Sequence, residues 1–167
     1  MKVVRFLVLL GLFIVIGLQF RACLRPAMTG QPAAELFASR WFNSESLTMQ
    51  ALRGKVVLLD FWAVWCGGCM AELPEIARLY ERYSSRGLVV IGVHDASSKP
   101  EEIERVIREE GIKYPVMRDT DRRETFAGYR IVGIPHLILV GKEGRIIADG
   151  SPIEQMEEHI KQELGVP

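Results

Sequence analysis

Lys55 to Trp62 reads KVVLLDFW, a continuous run of apolar and β-branched residues broken by one acid. A strand with one wet face alternates apolar and polar residues, whereas an unbroken run belongs inside a sheet covered on both faces. Gly87–Val93, GLVVIGV, repeats the pattern. Leu137–Val140 and Arg145–Ala148 flank Gly141-Lys142-Glu143-Gly144 and read as a hairpin. Helical periodicity occupies Met70–Tyr83, Glu101–Glu110 and Ile153–Leu164. Pro100, Glu101 and Glu102 suit a first helical turn, where acids complement the macrodipole. Tyr114-Pro115-Val116-Met117 adds a short edge strand, and Asp121–Tyr129 a further helical turn or two. Trp41-Phe42-Asn43 and Ser46-Leu47-Thr48 pair as a small hairpin around Ser44-Glu45. This alternation predicts an α/β fold, a central mixed sheet flanked by helices.

A chain of 167 residues holds one domain of ordinary size. Its 49% hydrophobic and 25% charged residues exclude a disordered chain. The balance of 21 basic against 21 acidic groups argues against a nucleic-acid partner. That balance is uneven along the chain. Lys2, Arg5, Arg21 and Arg25 are the only charges in the first 25 residues, which leaves 17 basic against 21 acidic groups beyond them.

Between these cations, Phe6–Leu18 is apolar plus glycine, and the uncharged run reaches Phe20. Counted from Val3, with Arg5 snorkelling, the helix would be about 27 Å long, just enough to span a bilayer core. A cleaved signal peptide fits as well, but Phe20-Arg21-Ala22 lacks the usual small residues of a cleavage site. Residues 1–20 are therefore expected to be a membrane-anchor helix, with Lys2 and Arg5 biasing the amino terminus inward and the soluble domain exported to the extracytoplasmic, periplasmic side. Residues 21–40, with Pro26, Gly30 and Pro32, read as a tether in which Ala33–Arg40 could form a short helix. The folded domain is expected over 41–167. Cys23 follows a poor lipidation box and is expected to be a plain juxtamembrane thiol.

The chemistry is concentrated in Trp65-Cys66-Gly67-Gly68-Cys69, which follows the buried strand and opens a helix. At a helix start, unpaired N–H groups and the positive end of the dipole favour a thiolate. Cys66 is thus expected to be the exposed attacking sulfur and Cys69, one turn on, the recessed resolving one. A static staple and half of a zinc site are the alternatives. Four-ligand zinc needs two further Cys or His ligands, and only His94, His136, His159 and distant Cys23 are available. A thiolate pair with a histidine would also suit Cu(I).

LLDFWAVWCGGC followed by Pro74, and later YRIVGIPHLILVGKEGR, closely resemble the thioredoxin superfamily, over Lys55 to roughly Leu164. Glu72-Leu73-Pro74 and the extra helix and strand of Ser97–Met117 look like the TlpA/ResA/CcmG group of membrane-tethered, exported members. RWFNSESLTMQALRGKVVLLDFW and VVIGVH are similar to thioredoxin-like domains of the DipZ type. The resemblance implies a thioredoxin-like fold and a thiol-disulfide oxidoreductase with no cofactor beyond a redox-active Cys66–Cys69 disulfide. Asp60, six before Cys66, matches the buried acid that exchanges a proton with the recessed cysteine, and an acid in an apolar strand is desolvated and gains proton affinity. Pro135 matches the cis-proline opposite the cysteines, whose neighbouring backbone pairs with an extended substrate. Ile134 looks like the reductase type of loop, and Trp65 flanks the thiolate. Pro74 would kink the helix by removing a hydrogen bond.

Two departures matter. Gly68 stands where many thioredoxins have proline, so their potential does not carry over. His136 stands where a small hydroxyl residue is usual; beside the thiolate it would lower the cysteine pKa or shuttle protons, and packed elsewhere it would do neither. His94-Asp95 is expected in a solvated loop at the end of its strand. A thiol peroxidase of this fold would need threonine three before the reactive cysteine, where Ala63 stands. The implied partners are a disulfide-containing protein substrate and a membrane electron donor; the reverse reaction would make the protein a disulfide donor.

Overall fold

A computed structural model describes residues 27–167, so the expected anchor over 1–20 and Cys23 lie outside the described residues. Along the chain come β1 (Ala38–Phe42), β2 (Val56–Trp62), α1 (Gly67–Tyr83), β3 (Leu88–His94), α2 (Pro100–Glu109), β4 (Val116–Asp119), α3 (Glu124–Gly128), β5 (His136–Val140), β6 (Ile146–Asp149) and α4 (Ile153–Leu164). They build a six-stranded mixed sheet in the order β1-β4-β3-β2-β5-β6. β2 pairs with β3 in parallel and with β5 antiparallel, and all seven of its residues are buried, as the apolar run demands.

The two crossovers β2-α1-β3 and β3-α2-β4 step in one direction across the sheet and so place both helices on one face, where α4 joins them. Leu73, Ile76 and Leu79 of α1, Ile103 and Ile107 of α2, and Met156 and Ile160 of α4 pack there on Leu58 and Trp62. The opposite face is covered by α3 and by the chain ahead of β2, with Leu36, Met49, Leu52, Phe126 and Tyr129 on Leu59 and Phe61. Alternation along β2 therefore sends Asp60 to the same face as α1.

Three expectations fail in instructive ways. Trp41 and Phe42 do not turn back on Ser46–Thr48; they end β1, which pairs antiparallel with β4, while Asn43 leaves the strand at φ 59° and donates through Nδ2 to the carbonyls of Ile112 and Tyr114. Because β1 occupies that side, β4 lies inside the sheet rather than at its edge. Residues 28–40 are not a free tether. Met28 and Leu36 are buried, and backbone bonds from Gly30 N–H to Ile146 O (2.7 Å), from Ile146 N–H to Gln31 O (2.9 Å) and from Ala33 N–H to Gly144 O (3.0 Å) lay the segment along β6. An unpaired strand edge invites such cover; beyond it Ala33–Arg40 is not helical, since residues 33–37 form no regular element and Ala38–Arg40 belong to β1. Among the described residues, no helix is long and apolar enough to cross a membrane.

Candidate active site

α1 begins at Gly67, three residues before its apolar periodicity does, because Cys66 is its N-cap residue. Cys66 Sγ accepts the Cys69 N–H at 3.1 Å, which gives one otherwise unpaired donor of the first turn to sulfur. The two cysteines are joined as a disulfide with Cα atoms 5.2 Å apart. Cys66 is 7% exposed and Cys69 1%, so the order of access is the expected one, although Cys66 is far more covered than an exposed sulfur would be.

Pro135 faces the pair across Gly68. The Ile134–Pro135 bond is cis, and a Cβ built on Gly68 would lie 3.5 Å from the proline Cδ, so the CxxC and this loop stand face to face. On one side of the pair, Trp65 and Val132 are exposed and Ile134 half-buried; with Arg123 and Phe126 they line a groove of about 400 Å³. The Trp65 indole is held in place, since its Nε1 donates to Ser97 Oγ (2.8 Å), which donates to Asp95 Oδ1 (2.6 Å). Ser97 carried no signal in the sequence beyond the Asp-x-Ser turn that it forms with Asp95. On the other side, Glu72, Pro135, His136 and Ser151 line a smaller hollow of about 190 Å³.

Asp60 lies on the face of the sheet that α1 covers, paired with Gly92 on β3 and Leu137 on β5. It is 3% exposed, and its Oδ2 has no hydrogen-bond partner among the described residues. Burial, and secondarily the Glu72 charge, push its pKa up to about 7. Glu72 is itself raised by burial and then by Glu154. The sequence marked Glu72 only as part of a motif; its place one helical turn beyond Cys69 was the signal that it shares the site.

The two histidines near the site are committed elsewhere. His94 is fully buried, not solvated: Nε2 accepts the Val64 N–H (2.9 Å) and Nδ1 donates to the Asp95 carbonyl (2.7 Å). It pins the loop between β2 and Cys66 in one neutral tautomer. His136 Nε2 bonds Asp149 Oδ1 (2.8 Å), and Asp149 Oδ2 accepts the Met28 N–H (2.8 Å). The ring lies so close to Gly150, at φ 71°, that a Cβ there would sit 2.9 Å from Cε1. His136 therefore joins the loop to β6 and to the incoming chain. Among the described residues, no group of three or more His, Cys, Asp or Glu is placed to hold a metal ion.

The His94 staple carries a pH dependence. Burial lowers its pKa below the ordinary 6.5, so the folded protein takes up this proton later than the unfolded chain as pH falls. Its stabilisation is full above about pH 6.5 and declines below it. His94→Ala is expected to cost about 1–3 kcal/mol at pH 7.5, because the Val64 N–H loses its acceptor. Denaturation of wild type and variant in parallel should show that gap narrowing toward pH 5; a gap constant with pH would contradict a lowered His94 pKa in the folded protein.

A sequence profile of the AhpC/TSA family matches residues 29–148. The chain is 30% identical over 105 residues to the "Thiol-disulfide oxidoreductase ResA" of Bacillus subtilis, covering 63% of this chain and 58% of that one. It is 33% identical over 113 residues to "Protein DipZ" of Mycobacterium bovis, covering 64% of this chain but only 16% of that much longer one. The crystal structure of a thiol-disulfide isomerase from Corynebacterium glutamicum superposes with a TM-score of 0.73 at 28% identity, over 83% of this chain and 99% of the other. By its sequence profile the chain belongs to the AhpC/TSA family, and its relatives and fold make it a thioredoxin-like member related to the thiol-disulfide oxidoreductases.

Proposed function

We propose that this protein is a thiol-disulfide reductase of protein disulfides, held to a membrane by residues 1–20 with its folded domain on the extracytoplasmic side. The observation that carries the chemistry is a disulfide whose first sulfur caps α1, together with an unpartnered buried carboxyl on the strand that leads into it. In the reduced protein the Cys66 thiolate, favoured by the helix N-terminus, attacks one sulfur of a substrate disulfide. That bond breaks, the other substrate sulfur leaves as a thiolate that takes a proton from solvent, and a mixed disulfide forms. The Cys69 thiol then passes its proton to the Asp60 carboxylate and attacks Cys66 Sγ. The second substrate sulfur leaves as a thiol, and the Cys66–Cys69 disulfide remains; two electrons have passed to the substrate. A membrane dithiol donor must return them.

The groove beside Trp65, Val132 and Ile134, with Asp95 and Arg123 also on its walls, offers a bed of mixed polarity for an extended substrate segment, whose backbone can pair with that of the Ile134–Pro135 loop. Peroxidase chemistry is disfavoured by Ala63, buried where a threonine would be needed. The reductase direction rests on the family resemblance and on Ile134. Equilibration of the domain with thiol buffers tests it. A potential near roughly −270 mV supports a reductase, and one near roughly −120 mV makes the protein a disulfide donor instead. Stoichiometric, tight Cu(I) binding by a reduced protein without reductase activity would favour copper handling.

A further inference from the structure

Asp60 Oδ2 is not alone in lacking a partner. On the same helix-covered face of the sheet, Trp62 Nε1 and the Tyr114 hydroxyl are also buried without a hydrogen-bond partner among the described residues. Both side chains are completely buried. The three converge on Gly92. Asp60 is its cross-strand neighbour, and a Cβ at Gly92 would sit 3.0 Å from Trp62 Nε1 and 3.4 Å from Tyr114 Cε2. The Gly92 N–H donates to the Pro115 carbonyl (2.9 Å), which draws the Tyr114 segment against β3. Val116 Cγ2 would lie 3.3 Å from the same Cβ, so the absence of a side chain at position 92 is what lets the Trp62 indole, the Tyr114 ring and Val116 approach β3 beside Asp60.

Their chemistry is complementary. An indole N–H only donates, an ionised carboxylate only accepts, and a phenol does both. Each is costly to leave unpaired in the interior. A buried water typically makes about three hydrogen bonds to groups of this kind. We propose that Asp60, Trp62 and Tyr114 enclose one internal water, and that Tyr114 acts through it as a positioning residue that sets the proton affinity of Asp60. This deepens, and rests on, the reading of Asp60 as the base for Cys69. Burial and the Asp60 charge push the Tyr114 phenol far above its ordinary pKa, so it stays a neutral donor. Donors aimed at a carboxylate favour its charged form and oppose burial.

The other groups facing Asp60 are few. α1 contributes Glu72 and the cysteine pair, and Glu154 of α4 acts on Glu72. β3 contributes His94, whose ring meets the Trp62 indole at 4.9 Å between centroids. β5 sets apolar Leu137 opposite Asp60, with His136 one residue before it.

Tyr114→Phe removes one oxygen and leaves the packing intact. The ¹³C carboxyl resonance of Asp60, followed against pH in the oxidised protein, should titrate about one pH unit higher in this variant, about a tenfold loss of ionisation at a fixed pH. Tyr80→Phe, which removes the hydroxyl of the neighbouring ring, should leave the midpoint where it is. An unchanged Asp60 midpoint in Tyr114→Phe overturns the proposal. The resonance reports proton affinity whether or not Asp60 serves as a base. Loss of the base reading would show separately, as an Asp60→Asn protein that resolves its mixed disulfide at the wild-type rate.

Discussion

Cys66→Ser is expected to reduce no substrate disulfide faster than the thiol buffer alone, whereas Cys69→Ser should stop one step later. The difference follows from access and position. Cys66 is the less covered sulfur and occupies the N-cap, where the Cys69 N–H supports developing negative charge. Cys69 is 1% exposed and can reach a substrate only through Cys66. With serine at 69 the first exchange proceeds, but no sulfur remains to break the mixed disulfide. The substrate stays attached, and intact-mass measurement after mixing with a disulfide-bonded protein should show the sum of the two chains, reversed by a strong reductant. A Cys66→Ser protein that still turned over, or a Cys69→Ser protein that trapped nothing, would remove the two-step exchange from this site.

The second large effect is expected at Asp60. Asparagine keeps the shape and cannot take a proton, so resolution of the mixed disulfide should slow by roughly 10²-fold at neutral pH, in the usual range for a lost general base. The same substitution should act on stability with an opposite benefit. Burial raises the Asp60 pKa from 3.8 to about 7, so between those values the folded protein holds a proton that the unfolded chain has released. Stability contributed at this position therefore falls as pH rises through the window and levels off above about 7, at a penalty on the order of 4 kcal/mol. Asp60→Asn carries no such penalty. Its advantage over wild type in denaturant melts of the oxidised protein should be small near pH 4 and grow toward pH 8. A slower enzyme that is also a more stable protein would mark a carboxyl kept for its chemistry; equal rates at pH 7 would assign Asp60 to structure alone.

The central strands were legible because double burial leaves an unbroken apolar run, and β2, β3 and β5 fall within a residue or two of where KVVLLDFW, GLVVIGV and the hairpin pattern put them. The cysteine pair was legible for a similar reason: a spacing that fits a helix start, directly after such a strand. What was hidden depends on partners distant in sequence. β1 has no internal pattern to separate it from a local hairpin, since its partner is β4, more than seventy residues on. Residues 28–33 look like a polar, proline-bearing linker because an edge-covering segment needs backbone groups rather than side chains. His94 looked solvated since nothing local shows that its ring accepts the Val64 N–H across the sheet end. Gly92, the empty position that brings Asp60, Trp62 and Tyr114 together, is one letter in a strand that would read equally well without it.

The binding of residues 28–33 along β6 has a consequence for distance. A free linker over 21–40 could stretch to about 70 Å and let the domain roam over a wide radius. With the chain fastened from Met28 onward, only residues 21–27 separate the expected anchor from the folded body, a leash of at most about 25 Å. The cysteine pair would then work in a shallow layer next to the bilayer, and both an electron donor and a client would have to present their sulfurs within it.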